Sequence, residues 1–121
     1  MTTTASRQAL GAYGEDVAAR FLAEAGLVLL DRNWRCKDGE IDLVLRDGRV
    51  LVVCEVKTRT SYLCGTPHEA ITDVKLDRLQ RLGQAWMRAH AVVADGTRVD
   101  LVAVLRPARG PAVVDHVRGV G

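Results

Sequence analysis

The stretch that decides the fold is GEIDLVLRDGRVLVVCEVKTR, residues 39–59. Residues 40–46 alternate charged and apolar side chains, which is typical of a strand with one buried face. Asp47-Gly48 is a hairpin turn signal, and residues 49–59 then form a mostly apolar, β-branched run. Such a run is typical of a strand covered on both faces. The sequence therefore predicts a β-hairpin whose first strand has an apolar face formed by Ile41, Leu43 and Leu45.

The hairpin is predicted to gather its charged residues on one face. With Asp47 and Gly48 as the turn residues, Asp42 lies opposite Val53 and diagonal to Glu55, at a distance of about 7 Å. Any turn of even length keeps these residues on a shared face. The members of this predicted charged face are Glu40, Asp42, Glu55, Lys57 and Arg59.

Carboxylates crowded on one face repel each other, and the repulsion can be offset in two ways. A divalent cation such as Mg²⁺ or Mn²⁺ would bind oxygen ligands from Asp42 and Glu55. Alternatively, the face is solvated and carries the ion pairs Glu40–Lys57 and Asp42–Arg59. The apolar run before Glu55 makes a solvated position less natural, but the residues alone leave both interpretations open.

Helical patterns precede and follow the hairpin. Residues 8–25 repeat apolar side chains at helical spacing, centred on Leu10, Val17, Phe21 and Ala25 and widened by Ala18 and Leu22. A second helix is predicted to end near His90, with either Thr66 or Thr72 as its N-cap. The remaining segments are predicted as a strand over 27–30, an irregular edge over 31–37, and strands over 99–105 and 112–117. This order indicates an α/β domain.

Two helix residues are predicted to lean toward the charged face. Glu15 falls at the edge of the first apolar stripe, and Lys75 lies within the stripe of the second helix. Gly11 and Gly14 each cost a helix about 1 kcal/mol relative to Ala, so a close backbone approach is expected there. An ordinary surface glutamate and a lysine with a snorkelling stem are the alternatives.

The hairpin motifs GEIDL (39–43) and EVKTR (55–59) resemble the PD-(D/E)XK motif of restriction-endonuclease-like nucleases, with Ile41 in place of the proline. Over residues 10–116 the chain resembles the bacterial YraN-type family of that fold. The further matching stretches are Gly11-x-x-Gly14-Glu15, Arg32-Asn33-Trp34-Arg35, Lys75 and Arg98-Val99-Asp100. The resemblance implies a mixed central β-sheet flanked by α-helices, similar to archaeal Holliday-junction resolvases. It also implies a metal-dependent nuclease that acts on DNA, with branched or flapped DNA as expected substrates.

The resemblance assigns roles to individual residues. Asp42 and Glu55 match metal ligands for Mg²⁺ or Mn²⁺, Glu15 matches a first-helix glutamate that some resolvases add, and Lys57 matches the catalytic lysine. Contacts to flanking phosphates are expected from Arg59, Lys75, Arg32, Arg35 and Lys37. Two alternatives remain open: a non-catalytic nucleic-acid- or partner-binding module with the same fold, and a domain whose acidic face holds a structural cation.

Length and charge set limits on these interpretations. A chain of 121 residues is the size of one domain, here predicted over 1–121 with flexible tails at 1–6 and 118–121. The net charge of only +2 excludes a protein covered by a basic field, so any phosphate-binding surface must be local. The sequence does not specify an oligomeric state, although a resolvase would need a dimer.

Cysteine usage and hydropathy point to a cytoplasmic location. The three cysteines, Cys36, Cys54 and Cys64, form no CxxC pair and are expected to be free thiols in a reducing compartment. Residues 1–5 lack the apolar segment of a signal peptide, and the longest apolar run, 50–54, is too short to span a bilayer. We therefore expect no membrane partner.

Overall fold

A computed structural model of the protein describes residues 4–61 and 71–120. The described chain contains two helices, α1 (Thr4–Glu24) and α2 (Asp73–His90). Its strands are β1 (Val28–Cys36), β2 (Gly39–Asp47), β3 (Val50–Arg59), β4 (Gly96–Leu105) and β5 (Val113–Val117). The predicted α/β class, a mixed sheet flanked by helices, is confirmed.

The five strands form one sheet in the order β1-β2-β3-β4-β5. β3 and β4 are parallel, and the other neighbours are antiparallel. Parallel neighbours require a long connection, and α2 lies within it. β3 is therefore the central strand, as its continuous apolar sequence predicts.

Each helix covers one face of the sheet with its own hydrophobic cluster. On the α1 side, Ala18 and Leu22 pack against buried residues of β2, β3 and β4. On the α2 side, Leu79, Leu82 and Trp86 do the same. The predicted centre of the first helical stripe was wrong, because its buried residues are Gly14, Ala18 and Leu22. Phe21 remains 37% exposed, beside the edge strand β5 rather than the sheet centre.

The hairpin turn lies one residue later than predicted. Asp47 still pairs with Val50, so the loop residues are Gly48, with a φ of 60°, and Arg49. Asp47 stays in β2 because its carboxylate accepts a hydrogen bond of 2.7 Å from Arg98 on β4. The register is thus shifted by two residues, which preserves the faces that the prediction depended on.

The predicted alternation of β2 fails at Asp42. Leu43 packs on the α1 side of the sheet, whereas Ile41 packs on the α2 side. On β1, Asn33 has a φ of 54°, and Trp34, the partner of Ile41, also packs on the α2 side. Asparagine tolerates this left-handed conformation better than most residues. β1 and β2 therefore change faces together here, and the prediction that Ile41 shares a face with Leu43 was wrong.

The second helix begins at the later of its two predicted caps. The Thr72 hydroxyl accepts a hydrogen bond of 3.2 Å from the Lys75 backbone N–H, and the helix ends at His90 as predicted. The competing start at Thr66 lies outside the described residues.

The C-terminal residues predicted as a tail are bound to the sheet. The Gly119 N–H donates to Asp100 Oδ1 at 3.0 Å, and the Val120 N–H donates to the Val99 carbonyl at 2.8 Å. At the other end, residues 4–6 belong to α1. For residues 1–3 and 121, which lie outside the described residues, the flexible tails stay a prediction.

The structure bears on two further predictions, the free thiols and the lack of a membrane-spanning segment, for the described residues. Cys36 and Cys54 are free thiols, whereas Cys64 lies outside the described residues. Neither α1 nor α2 is long and apolar enough to cross a bilayer.

A glycine on each helix allows the close approach to β3. A Cβ atom at Gly14 would overlap the Thr58 hydroxyl and lie 2.9 Å from Thr58 Cβ. One at Gly83 of α2 would lie 2.8 Å from Val53 Cγ2. The close approach predicted for Gly14 is confirmed, but Gly11 has no atom within 4 Å of its Cβ position.

Gly14→Ala should therefore destabilise the protein, because α1 or Thr58 must shift to make room. We expect the free energy of unfolding to fall by roughly 1–3 kcal/mol. Gly11→Ala is the matched control, since it adds a methyl group in open space and should stabilise the helix by about 0.5–1 kcal/mol. Urea unfolding followed by circular dichroism measures both, and equal effects would contradict the packing described.

Candidate active site

The candidate site lies where β2 separates from β3. Their pairing ends at Leu43 and Cys54. At the next position, Asp42 Oδ2 accepts a hydrogen bond of 2.9 Å from the Val56 backbone N–H. If the pairing continued by one more residue, Asp42 would lie opposite Glu55. The carboxylate of Asp42 thus takes the place of a strand partner for β3 and is fixed beside Glu55.

The Glu55 side chain is held by two lysines. It is buried, with 9% of its surface exposed, and its Oε1 lies 3.2 Å from Lys57 Nζ and 2.9 Å from Lys75 Nζ. The Thr72 cap fixes the first turn of α2 and hence the position of Lys75. The predicted position of Lys75, inside the acidic cleft, is confirmed, and its role in binding stays a prediction.

Burial and neighbouring charges shift the protonation of the site. Burial, followed by repulsion from Glu55, raises the pKa of Asp42 to about 7. The Val56 N–H opposes this shift, and Glu15 and Glu40 add to it. Burial and the nearby Lys75 ammonium lower the pKa of Lys57. Asp42 is therefore a carboxyl group whose ionised form would be stabilised by additional positive charge.

Glu15 lies on α1, close enough to Asp42 for its charge to act on that carboxyl group. Its Oε1 lies 3.5 Å from Arg32 Nη2, and Arg32 also binds the Asp16 carboxylate and, at 3.2 Å, the carbonyl oxygen of Ala12. Arg32 thus contacts two carboxylates of α1 and stays partly exposed, and its predicted role in phosphate binding stays a prediction. Glu15 acts on Asp42 through its charge.

The donor set fits Mg²⁺ or Mn²⁺ with two protein carboxylates. Across residues 4–61 and 71–120, no three acidic, His or Cys side chains are arranged to hold an ion by themselves. Mg²⁺ often binds through only one or two carboxylates and completes its shell with water and substrate phosphate. Asp42 and Glu55 would supply those carboxylates.

The solvated-face alternative predicted two ion pairs that the described residues do not form. Glu40 lies 3.3 Å from Arg35, and Lys57 pairs with Glu55. Asp42 is bound by a backbone N–H. Among the described residues, the charges of this face are therefore balanced by other partners than the solvated-face alternative predicted.

The exposed cations lie on the rim of the site. Arg59 is exposed at the end of β3 and donates to the Thr58 carbonyl at 3.3 Å. Arg35 is exposed beside Glu40, and Lys37 is exposed in the turn between β1 and β2. Among the described cations, Lys57 and Lys75 are the two that contact Glu55.

Sequence analysis missed a second cluster of charged residues. Asp100 is fully buried and accepts hydrogen bonds from Arg98 Nε at 2.9 Å and the Gly119 N–H at 3.0 Å, and its Oδ2 lies 2.8 Å from His116 Nε2. Burial alone would raise the pKa of Asp100, but these contacts lower it. Asp100 pairs with Cys54 in register and so lies on the α1 side of the sheet. The signal was two charged residues, Arg98 and Asp100, alternating within an apolar strand.

The shifted pKa of Asp42 predicts a pH-dependent stability. Between about pH 4 and 7 the folded protein keeps a proton on Asp42 that the unfolded chain has lost. The stabilisation that this proton gives the folded state is complete below pH 3.8 and is lost as the pH rises through 7. Asp42→Asn should therefore raise the free energy of unfolding at pH 8 by roughly 1–3 kcal/mol, and by less at pH 5.

Urea unfolding in EDTA across this pH range measures the effect. Asp77→Asn, which removes an exposed carboxylate from α2, is the control and should follow the wild type. Parallel pH profiles for Asp42→Asn and the wild type would contradict the perturbed titration of Asp42.

Comparison with known proteins identifies the relatives of this chain. Residues 14–104 match the uncharacterised protein family UPF0102. A UPF0102 protein of Nocardioides sp. (strain JS614) is 61% identical over the full length of both chains. Those of Kineococcus radiotolerans and Streptomyces griseus are 56% and 55% identical, covering 99% and 95% of this chain and 99% and 98% of their own. The chain therefore belongs to the uncharacterised protein family UPF0102, a bacterial family that its sequence motifs predicted.

Proposed function

We propose that the protein is a nuclease that uses Mg²⁺ or Mn²⁺ to hydrolyse phosphodiester bonds of DNA. The observation that carries this proposal is the position of Asp42 and Glu55 at the separation of β2 and β3, with two lysine ammonium groups on Glu55. A sheet that only needed to fold would not place two carboxylates and two lysines in one half-buried cleft. The resemblance of the hairpin to PD-(D/E)XK nucleases supports the same function.

Asp42 and Glu55 would hold the cation, and Glu15 adds negative charge behind them. The bound cation would polarise the phosphate and lower the pKa of a water molecule. In the reaction, a water oxygen bonds to phosphorus and gives up a proton to solvent. The bond from phosphorus to one sugar oxygen breaks, and that oxygen takes up a proton from solvent.

Lys57 is the residue best placed to act on the reacting phosphate. Its ammonium lies in the cleft, 3.2 Å from Glu55 Oε1, and shares that oxygen with Lys75. With both lysines on one carboxylate oxygen, Lys57 can turn to an entering phosphate while Lys75 keeps Glu55 in place. Lys57 would stabilise the negative charge that develops on the phosphate oxygens.

A non-catalytic nucleic-acid-binding module is the second candidate. Glu55 is already neutralised by two lysines, so it does not need a metal ion for stability. The net charge of +2 also fits a protein that binds through one local surface. Cleavage of DNA by the wild type in Mn²⁺ decides between the two candidates.

The first test concerns the metal. Adding Mn²⁺ at 100 times its dissociation constant should raise the free energy of unfolding of the wild type by about 2.7 kcal/mol. Glu55→Gln should abolish this gain, because it removes one of two charged ligands. Asp77→Asn, an exposed carboxylate on α2, serves as control and should keep the gain. Isothermal calorimetry gives the affinities, and equal Mn²⁺ binding by Glu55→Gln and the wild type would exclude Glu55 as a ligand.

The second test concerns Lys57. Lys57→Met should lower the single-turnover rate of DNA cleavage by roughly 30- to 1000-fold, or about 2–4 kcal/mol, because the charge acts mainly in the transition state. Mn²⁺ affinity and DNA affinity should change much less. Arg81→Met removes a positive charge from the exposed surface of α2, where no role in the site is assigned, and is the control.

These measurements separate the roles that Lys57 could have. A Lys57→Met protein that cuts at the wild-type rate would remove Lys57 from catalysis. One that no longer binds DNA would make Lys57 a phosphate anchor. A wild type that cuts neither duplex, flapped nor four-way-junction DNA in Mn²⁺ would leave the binding module as the function.

A further inference from the structure

A groove lies between the first half of α1 and the end of β3. It has a volume of about 410 Å³ and is lined by Arg7, Leu10 and Gly11 of α1 and by residues 56–60 of β3. Lys57 is one of the lining residues, so the groove leads directly to the candidate site.

The groove is electropositive. Among the residues that the structure describes, its charged lining residues are Arg7, Lys57 and Arg59, and none of its lining residues is a carboxylate. Arg7 and Arg59 are exposed, and neither forms an ion pair with another residue of the ranges 4–61 and 71–120. In a protein with a net charge of only +2, this is a local surface suited to phosphate groups.

The backbone beside the groove is also open. β2 stops pairing with β3 at Cys54, so residues 55–59 of β3 keep only β4 as a strand neighbour. On the free edge, the Val56 N–H is taken by Asp42. A chain lying along this edge would therefore reach Asp42 and Glu55 without displacing a strand.

Gly11 is the most informative residue of the groove. It lies inside α1, where glycine is disfavoured relative to Ala. Packing against the described residues outside its own helical turn does not explain it, because none of them lies within 4 Å of its Cβ position. Gly14, one turn later, is explained by its contact with Thr58. The absence of a side chain at Gly11 leaves the groove open.

We propose that this groove binds a single strand of nucleic acid, with backbone phosphates on Arg7 and Arg59. This inference rests on the proposed function and specifies its substrate as DNA with a single-stranded segment. The edge of β3 that β2 leaves unpaired, beside α1, offers a place for one strand, and the blunt duplex in the test below shows whether double-stranded DNA also binds. The strand would carry the next phosphodiester to Lys57 and the two carboxylates.

Fluorescence anisotropy in EDTA tests the groove without cleavage. The probes are a fluorescein-labelled single-stranded DNA of about 20 nucleotides and a blunt duplex of the same sequence. Gly11→Leu should weaken binding of the single strand by roughly three- to tenfold, because its side chain would occupy the groove. The protein should stay folded, because leucine is a good helix former and its Cβ atom has room at this position. Ala9→Leu adds the same bulk at an exposed position of α1 outside the groove and should bind as the wild type does.

Arg7→Gln provides a second variant that does not depend on how Gly11→Leu folds. It should weaken binding of the single strand by a similar factor and reduce the magnitude of the slope of log affinity against log salt by about 0.7. Single-strand affinities equal to that of Ala9→Leu for both variants, or a wild type that prefers the blunt duplex, would overturn the groove assignment.

The outcome is independent of cleavage. If the wild type cuts flapped DNA in Mn²⁺ while Gly11→Leu and Arg7→Gln bind the single strand normally, the nuclease function stands and the groove is not the binding site. If both variants weaken binding of the single strand but the wild type never cuts, the groove is the binding site and the nuclease function is excluded.

Discussion

The separation of β2 from β3 at Asp42 is the constraint on which the rest of the site depends. If the two strands continued to pair, the Val56 N–H would bond to the backbone of β2 and the Asp42 side chain would be free to turn. Because the carboxylate accepts that N–H instead, Asp42 is fixed and half-buried beside Glu55. The left-handed residue Asn33 lets β1 follow β2 through the distortion. One irregularity in the backbone thus positions the acidic pair and opens the edge of β3.

The charges around this separation are unequally balanced. Among the described residues, Glu55 contacts the ammonium groups of Lys57 and Lys75, whereas the Asp42 carboxylate contacts a backbone N–H. Burial, followed by repulsion from Glu55, raises the pKa of Asp42 to about 7. In the proposed function, an incoming phosphate would draw Lys57 away from Glu55 and increase the need for a cation. Metal and DNA should then strengthen each other's binding, and by linkage the two effects must be equal. Mn²⁺ affinity measured with and without a bound DNA strand reports this coupling, and identical affinities would exclude it.

Local patterns in the sequence were sufficient for the elements and for most of the site. Alternation and turn chemistry predicted the hairpin. The register error of two residues moved Asp42 from the position opposite Val53 to the one opposite Glu55, so the two carboxylates remained neighbours. The error itself came from Arg98, which holds Asp47 in β2 from a strand 51 residues away in sequence. The exchange of faces at Ile41 depends on Asn33 of a different strand, which no pattern within β2 could reveal.

Long-range contacts explain the other differences from prediction. His116 shows no partner in the sequence, and only the pairing of β4 with β5 brings it to Asp100. Arg32 could not be distinguished from a surface cation until α1 was placed beside β1. In physical terms, residues whose role depends on one strand or helix were predictable, and residues that connect two distant elements were not.

The parallel pairing of β3 with β4 has a consequence for how the protein folds. The hairpin that carries Asp42 and Glu55 forms from residues close in sequence, whereas Val50 of β3 meets its β4 partner, Gly96, only 46 residues later. Contacts of such separation are slow to form, because a long loop must close before they stabilise anything. During synthesis the central strand therefore emerges with one edge unpaired, and it gains its second neighbour only after β4 has been made. The acidic pair is thus brought together by the fastest part of folding and made rigid by the slowest.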